Sequence, residues 1–227
     1  MELTLVETRQ ETSDTRSFFF TGHPTPPWKA GQYIFYKLPH PNPDDRGIER
    51  YFSISSAPHE GPIRLTTRFA EKGSSFKRAL NSLPIGGRIE ATSVEGDFCV
   101  DQVSKPLVFI AGGIGITPFR AILLDLEQRG APINVKLLYA NRTQEIVFRD
   151  ELESFRNRHA GFQIQYLIGE RKLDDKSIRL AVQDFGAVRF YVSGPEPMVE
   201  SIDKILDGIG VKKEEIMNDF FPGYDWP

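Results

Sequence analysis

The 227 residues hold a single cysteine, Cys99, and four histidines, His23, His40, His59 and His159. One thiol makes no disulfide within the chain. An iron–sulfur cluster draws on about four Cys ligands, or two Cys and two His, so none is expected here. The histidines are scattered without zinc-ligand spacing, so no metal is expected either. A cofactor, if the chain takes one, is expected to be organic and held non-covalently. Cys99 itself reads as a small buried hydrophobe. Long apolar runs are missing too, and Met1-Glu2-Leu3-Thr4 opens directly into a charged strand pattern. That excludes a membrane span and a signal-type start from the expectations and points to a cytoplasmic protein. With 28 basic and 31 acidic residues well mixed, the net charge is −3 and no basic face stands out. Nucleic acid is therefore not an expected partner.

What is present divides in two near Ser104. Residues 1–103 carry short candidate strands at Leu3–Glu7, Ser17–Thr21, Tyr33–Leu38, Tyr51–Ser55, Ile63–Arg68 and Arg88–Ser93. Pro- and Gly-rich turns separate them, and one helix is predicted over Ser74–Leu83. Frequent turns between short strands favour a small antiparallel barrel. Residues 104–227 instead alternate strand and helix. The strands are Leu107–Ala111, Val135–Tyr139, Ile164–Ile168 and Phe190–Ser193, nearly continuous in apolar residues. That rhythm predicts a doubly wound parallel sheet with both faces covered.

Between the first of these strands and its helix lies Ala111-Gly112-Gly113-Ile114-Gly115-Ile116-Thr117-Pro118. Glycines entering a helix N-terminus leave backbone N–H groups open to an anion such as a pyrophosphate. Thr117 is expected to cap the helix, and Pro118 suits its first position. A bare strand–helix turn that binds nothing is the plainer alternative, and the added Thr-Pro weighs against it. A second turn, Ser193-Gly194-Pro195-Glu196-Pro197-Met198, also leaves a strand and opens a helix, and reads as the other wall of one crevice. No acid closes the second strand to grip a ribose; Arg142, Arg171 and Lys172 stand near instead. They read equally as a 2′-phosphate site favouring NADPH or as ordinary solvated charge.

Together with Arg50-Tyr51-Phe52-Ser53 in the first half, these motifs resemble the ferredoxin–NADP reductase superfamily along essentially the whole chain. The resemblance implies an N-terminal antiparallel flavin-binding barrel followed by a doubly wound parallel-sheet nucleotide-binding domain. It implies that the stretch Arg50, Tyr51, Phe52 and Ser53 binds FAD. Arg50 would pair with a flavin phosphate, Phe52 would pack on the isoalloxazine, and Ser53 would lie near flavin N5. Thr67 would line the flavin, and Gly73, Ser74 and Ser75 would make a second phosphate contact. Gly112, Gly113, Gly115, Thr117 and Pro118 would bind NAD(P)H, with Gly194, Pro195 and Met198 opposite. Thr117 and Ser193 would orient the nicotinamide. Phe52 stands where Tyr is more common, and Ser193 where many relatives have Cys.

The implied activity is hydride transfer from NAD(P)H to bound FAD. Electrons would then pass to a separate protein such as a ferredoxin, flavodoxin, haem protein or oxygenase component. A reductase of freely diffusing flavin and a redox-inert subunit are the alternatives, and a monomer is expected. Near the chain end, Phe221 or Tyr224, with Trp226 further out, is expected to shield the flavin. Phe220 is expected to pack between domains, and Asp219 to be solvated or to orient the nicotinamide.

Overall fold

The computed structural model describes residues 1–23, 26–169, 171 and 173–221; Lys172, Tyr224 and Trp226 lie outside the described residues. Two compact units emerge: Met1–Cys99 with Arg120–Asp125, and Val100–Phe119 with the chain from Leu126 onward.

In the first unit, alternation of apolar and polar residues builds β1 (Glu2–Thr12), β2 (Thr15–Gly22), β3 (Tyr33–Lys37), β4 (Glu49–Ser53), β5 (Ile63–Arg68) and β6 (Arg88–Glu95). They form an antiparallel sheet in the order β4-β3-β6-β1-β2-β5. A bridge between Ile54 and Leu65 joins the chain after β4 to the far edge strand β5, which curls the sheet into a barrel. Leu3, Leu5, Phe18, Phe20 and Ile34 fill it. Helix α1 (Ser75–Asn81) adds Phe76 and Leu80 to that core. Each such side chain contributes roughly 1.5–3 kcal/mol by leaving water. Cys99, read as buried, is partly exposed.

The barrel also buries a charge. Arg64 on β5 is 1% exposed and pairs with Glu11 on β1 at 2.7 Å. Its Nε donates to Ser17 Oγ at 3.1 Å, and Ser17, Thr66 and Ser55 hydroxyls continue the chain at 2.8 Å each. The ring of Phe19 lies 5.1 Å from the guanidinium and covers one of its faces.

In the second unit, β7 (Leu107–Gly112), β8 (Val135–Asn141), β9 (Phe162–Ile168), β10 (Arg189–Pro195) and β11 (Ile216–Phe221) make a parallel sheet ordered β11-β10-β7-β8-β9. Helices α2 (Ile116–Gln128), α3 (Arg149–Arg158), α4 (Asp175–Ala181) and α5 (Glu196–Ile209) connect them. Alternate residues of β7 face opposite layers. Val108 and Ile110 join Ile178 of α4 and Ile202 of α5, whereas Phe109 stacks on Phe119 of α2 with centroids 4.6 Å apart. The sheet is therefore covered on both faces, as the apolar strands predicted. β11 was not predicted, and the strand order reverses direction between β7 and β10.

Truncating Arg64 to Ala is expected to cost about 3–5 kcal/mol, because Glu11 is left buried without its cation. Replacing both partners, Arg64→Met with Glu11→Leu, is expected to recover most of that loss. Thermal denaturation of the two variants measures the difference.

Candidate functional site

The carboxyl ends of β7 and β10 are adjacent because these strands pair in parallel, with Ser193 opposite Ala111. Each leads into a glycine turn, and the two turns touch. A Cβ on Gly115 would lie 2.2 Å from the Ser193 carbonyl oxygen, so the backbones meet only because that side chain is missing. Met198, fully buried, fills the space beneath; its sulfur would be 2.3 Å from a Cβ on Gly112. Gly112, Gly115, Gly194 and Met198 are thus demanded by packing alone. Gly113 is different. It has φ +52°, and the nearest atom to a Cβ there, Asn141 Oδ1, is 4.0 Å away. Space opens at this one glycine of the turn.

The helix entry departs from the sequence reading. Gly113–Gly115 wind as a short 3-10 turn, so α2 begins at Ile116 and Thr117 is already its second residue. Thr117 therefore does not cap the helix; its hydroxyl donates back to the Ile114 carbonyl at 3.0 Å. Pro118 is the third helical residue rather than the first, still within the turn whose amides lack intrahelical partners.

β11 brings the chain end back to this edge. It runs parallel to β10, setting Asp219 beside Ser193, Phe220 beside Gly194 and Phe221 beside Pro195. The Ser193 hydroxyl donates to the Asp219 carboxylate at 3.4 Å, a weak contact that joins the two polar groups at the turn. Phe220, expected to be packed away, is 47% exposed, because strand alternation turns it outward from the position its neighbours occupy. On the other side, β8 ends at Asn141 opposite Ile168, the last residue of β9. Arg142 and Arg171 follow these two strand ends and are both exposed.

Within the barrel, β3 and β4 pair Tyr36 with Arg50, Ile34 with Phe52, Phe35 with Tyr51 and Tyr33 with Ser53. Opposed residues share a face. Arg50 and Phe52 thus lie on one side of β4, Tyr51 and Ser53 on the other. Tyr51 packs with Tyr33 and Phe35 at centroid distances of 5.2 and 5.6 Å. Phe52 packs between Tyr36 and Phe76, at 6.0 and 5.9 Å. Ser53 is 4% exposed. Two groups proposed from the resemblance have buried polar atoms without a hydrogen-bond partner, Thr67 Oγ1 and Arg50 Nε. Ser74 caps α1 by accepting from the Lys77 amide at 3.2 Å.

Arg50 is otherwise occupied. Its Nη2 donates to Asp44 Oδ1 at 2.8 Å, and Asp44 Oδ2 accepts from the Ser75 amide, also at 2.8 Å. The Ser75 amide bond, reinforced by the Arg46 amide and the Arg50 charge, holds the Asp44 carboxyl down at about 2. Sequence reasoning missed Asp44, because its two partners are joined only by the fold. Among the described residues no group of three or more His, Cys, Asp and Glu side chains is placed to hold a metal.

Residues 109–204 match the family of oxidoreductase NAD-binding domains. The chain is 29% identical over 236 residues to a flavohemoprotein of Candida albicans, covering 95% of this chain and 58% of that protein. It is 27% identical over 216 residues to the reductase component of a phenol 2-monooxygenase from Pseudomonas sp. strain CF600, covering 88% and 59% respectively. A Neisseria gonorrhoeae ferredoxin NADP+ reductase, solved with FAD and NADP, superposes with TM-score 0.81 over 99% of this chain and 98% of its own, at 19% identity. The chain has the fold of that reductase along nearly its whole length. It spans a little over half the length of these curated relatives. That shared fold is the antiparallel barrel and the helix-covered parallel sheet described above.

Gly115→Ala is expected to destabilise the second unit by about 3 kcal/mol, since backbone must move to admit the methyl group. Gly113→Ala is expected to cost about 1 kcal/mol, the price of the left-handed backbone alone. Thermal melts of both variants test this ordering.

Proposed function

We propose that the chain is a flavin-dependent NAD(P)H oxidoreductase that serves a separate electron acceptor. The observation that carries this reading is the touching pair of glycine turns at the carboxyl ends of β7 and β10. Open α/β sheets bind their ligands where strand order reverses, and this reversal lies between those two strands. The Gly113 opening offers backbone N–H groups to a pyrophosphate. Ser193, held toward Asp219, orients the nicotinamide amide, with Thr117 beside the turn. Arg142 and Arg171 take the 2′-phosphate of NADPH, where guanidinium forks match the anion.

The barrel residues fit a flavin in their chemistry. Arg50 offers a permanent cation with an unpartnered Nε, Thr67 a buried unpartnered hydroxyl, and Phe52 and Tyr51 aromatic faces. Gly73, Ser74 and Ser75 add backbone and hydroxyl donors, and Ser53 a buried hydroxyl for the ring. FAD, when bound, supplies two-electron acceptance from a nicotinamide and release to one-electron carriers. The protein's share is to bind, orient and exclude water. A reductase component of a phenol 2-monooxygenase among the relatives supports a protein acceptor such as an oxygenase component; free flavin is the other class.

The absorbance spectrum of the purified protein tests the reading. A flavin spectrum that bleaches anaerobically with NADPH or NADH is expected, and mass spectrometry of the released cofactor should give FAD. A protein that neither carries flavin nor oxidises NAD(P)H with added flavin would overturn it. Arg142→Glu and Arg171→Glu are each expected to lower kcat/KM for NADPH by about tenfold relative to NADH. Unchanged ratios in both variants mark the two arginines as solvated surface.

A further inference from the structure

Asp44 sits in the loop between β3 and β4, and its carboxylate is held as a bound anion would be. Oδ1 accepts from Arg50 Nη2 at 2.8 Å and from the Arg46 amide at 3.1 Å. Oδ2 accepts from the Ser75 amide at 2.8 Å, while the Asp44 amide donates to Ser75 Oγ at 2.9 Å. An ion pair between Asp44 and Arg50, six residues apart at the entry to β4, is unremarkable by itself. The Ser75 contacts are not local, since they cross 31 residues to reach the start of α1. Arg50 Nη1 is spent as well, donating to the carbonyls of Arg46 at 2.7 Å and Gly47 at 3.3 Å. Nε is buried and without a hydrogen-bond partner. The cation thus has one charged acceptor, and the chain itself provides it.

Arg50 and Ser75 are the groups assigned above to a flavin phosphate, and the inference rests on that assignment. A phosphate and the Asp44 carboxylate cannot both occupy this seat, because like charges in contact disfavour each other strongly. We propose that Asp44 is a specificity-determining residue that competes with the phosphate of a flavin for Arg50 and the Ser75 amide. Its carboxylate must swing away before a phosphorylated flavin is fully seated. FAD and FMN are consequently held weakly enough to exchange, while riboflavin, which has no phosphate, meets no such competition. The flavin of this protein is then an exchangeable ligand rather than a permanently retained group.

Fluorescence titration of the purified, flavin-depleted full chain with FAD, FMN and riboflavin tests the proposal. In the wild type, FMN is expected to bind within about fivefold of riboflavin, since its phosphate gains little against a seated carboxylate. Asp44→Asn is expected to tighten FAD and FMN by about tenfold while leaving riboflavin unchanged. Asp44→Ser keeps an oxygen acceptor for the Ser75 amide and is expected to act in the same direction, should the Asn variant fold poorly. Arg50→Ala weakens FAD and FMN but not riboflavin. If Arg50→Ala weakens FAD while both Asp44 variants leave it unchanged or weaken it, Asp44 is a strut that positions Arg50, and the competition is disproved. If Arg50→Ala leaves FAD unaffected, the phosphate assignment itself is wrong. An FMN affinity in the wild type about a hundredfold above that of riboflavin also overturns the proposal.

Discussion

Contact between two backbone turns is the constraint on which the nucleotide-binding half depends. Parallel pairing of β7 with β10 brings Gly115 against the Ser193 carbonyl, closer than any side chain allows. Once side chains are excluded there, space is left only at Gly113. The opening at Gly113 therefore arises as a by-product of packing. Met198, buried beneath both turns, completes the same arrangement from below. The chemistry assigned to this crevice needs no residue whose presence contradicts the fold.

The barrel contains two Arg–carboxylate pairs of opposite character. Arg64 and Glu11 are 1% and 8% exposed, with hydroxyls and a ring filling the remaining contacts. Neither member can leave without stranding the other in a dry interior, so this pair is fixed structure. Arg50, on β4, and Asp44, in the loop before it, are 15% and 30% exposed. Water can replace either partner at modest cost, which makes the second pair exchangeable. The same chemical couple serves as a rivet in one place and as a latch in the other.

The order of elements was legible because periodicity carries it. Alternating residues such as those around Phe18 and Phe20 announce strands with one buried face, and the apolar run Leu107–Ala111 announces a strand covered on both. β11 escaped because Ile216-Met217-Asn218-Asp219-Phe220-Phe221 neither alternates cleanly nor runs apolar. Thr117 was misread as a cap because nothing in Gly113-Ile114-Gly115 betrays that it already winds helically. Candidate site residues were legible as motifs, whereas their internal partners were not. Asp44 and Ser75 meet only after β3, β4 and α1 are assembled, and Asp219 meets Ser193 only through the sheet.

Strand β11 has a consequence beyond the crevice. It covers the outer edge of β10, whose backbone groups would otherwise be open to pairing with a strand from another molecule. Its own outer edge carries the charged Asp219 and ends in a bulky Phe221 rather than a flat apolar ribbon. The segment that supplies the carboxylate beside Ser193 therefore also moves the edge of the sheet from the apolar β10 to the more polar β11. Evolution can alter the specificity of this edge only within the limits set by solubility.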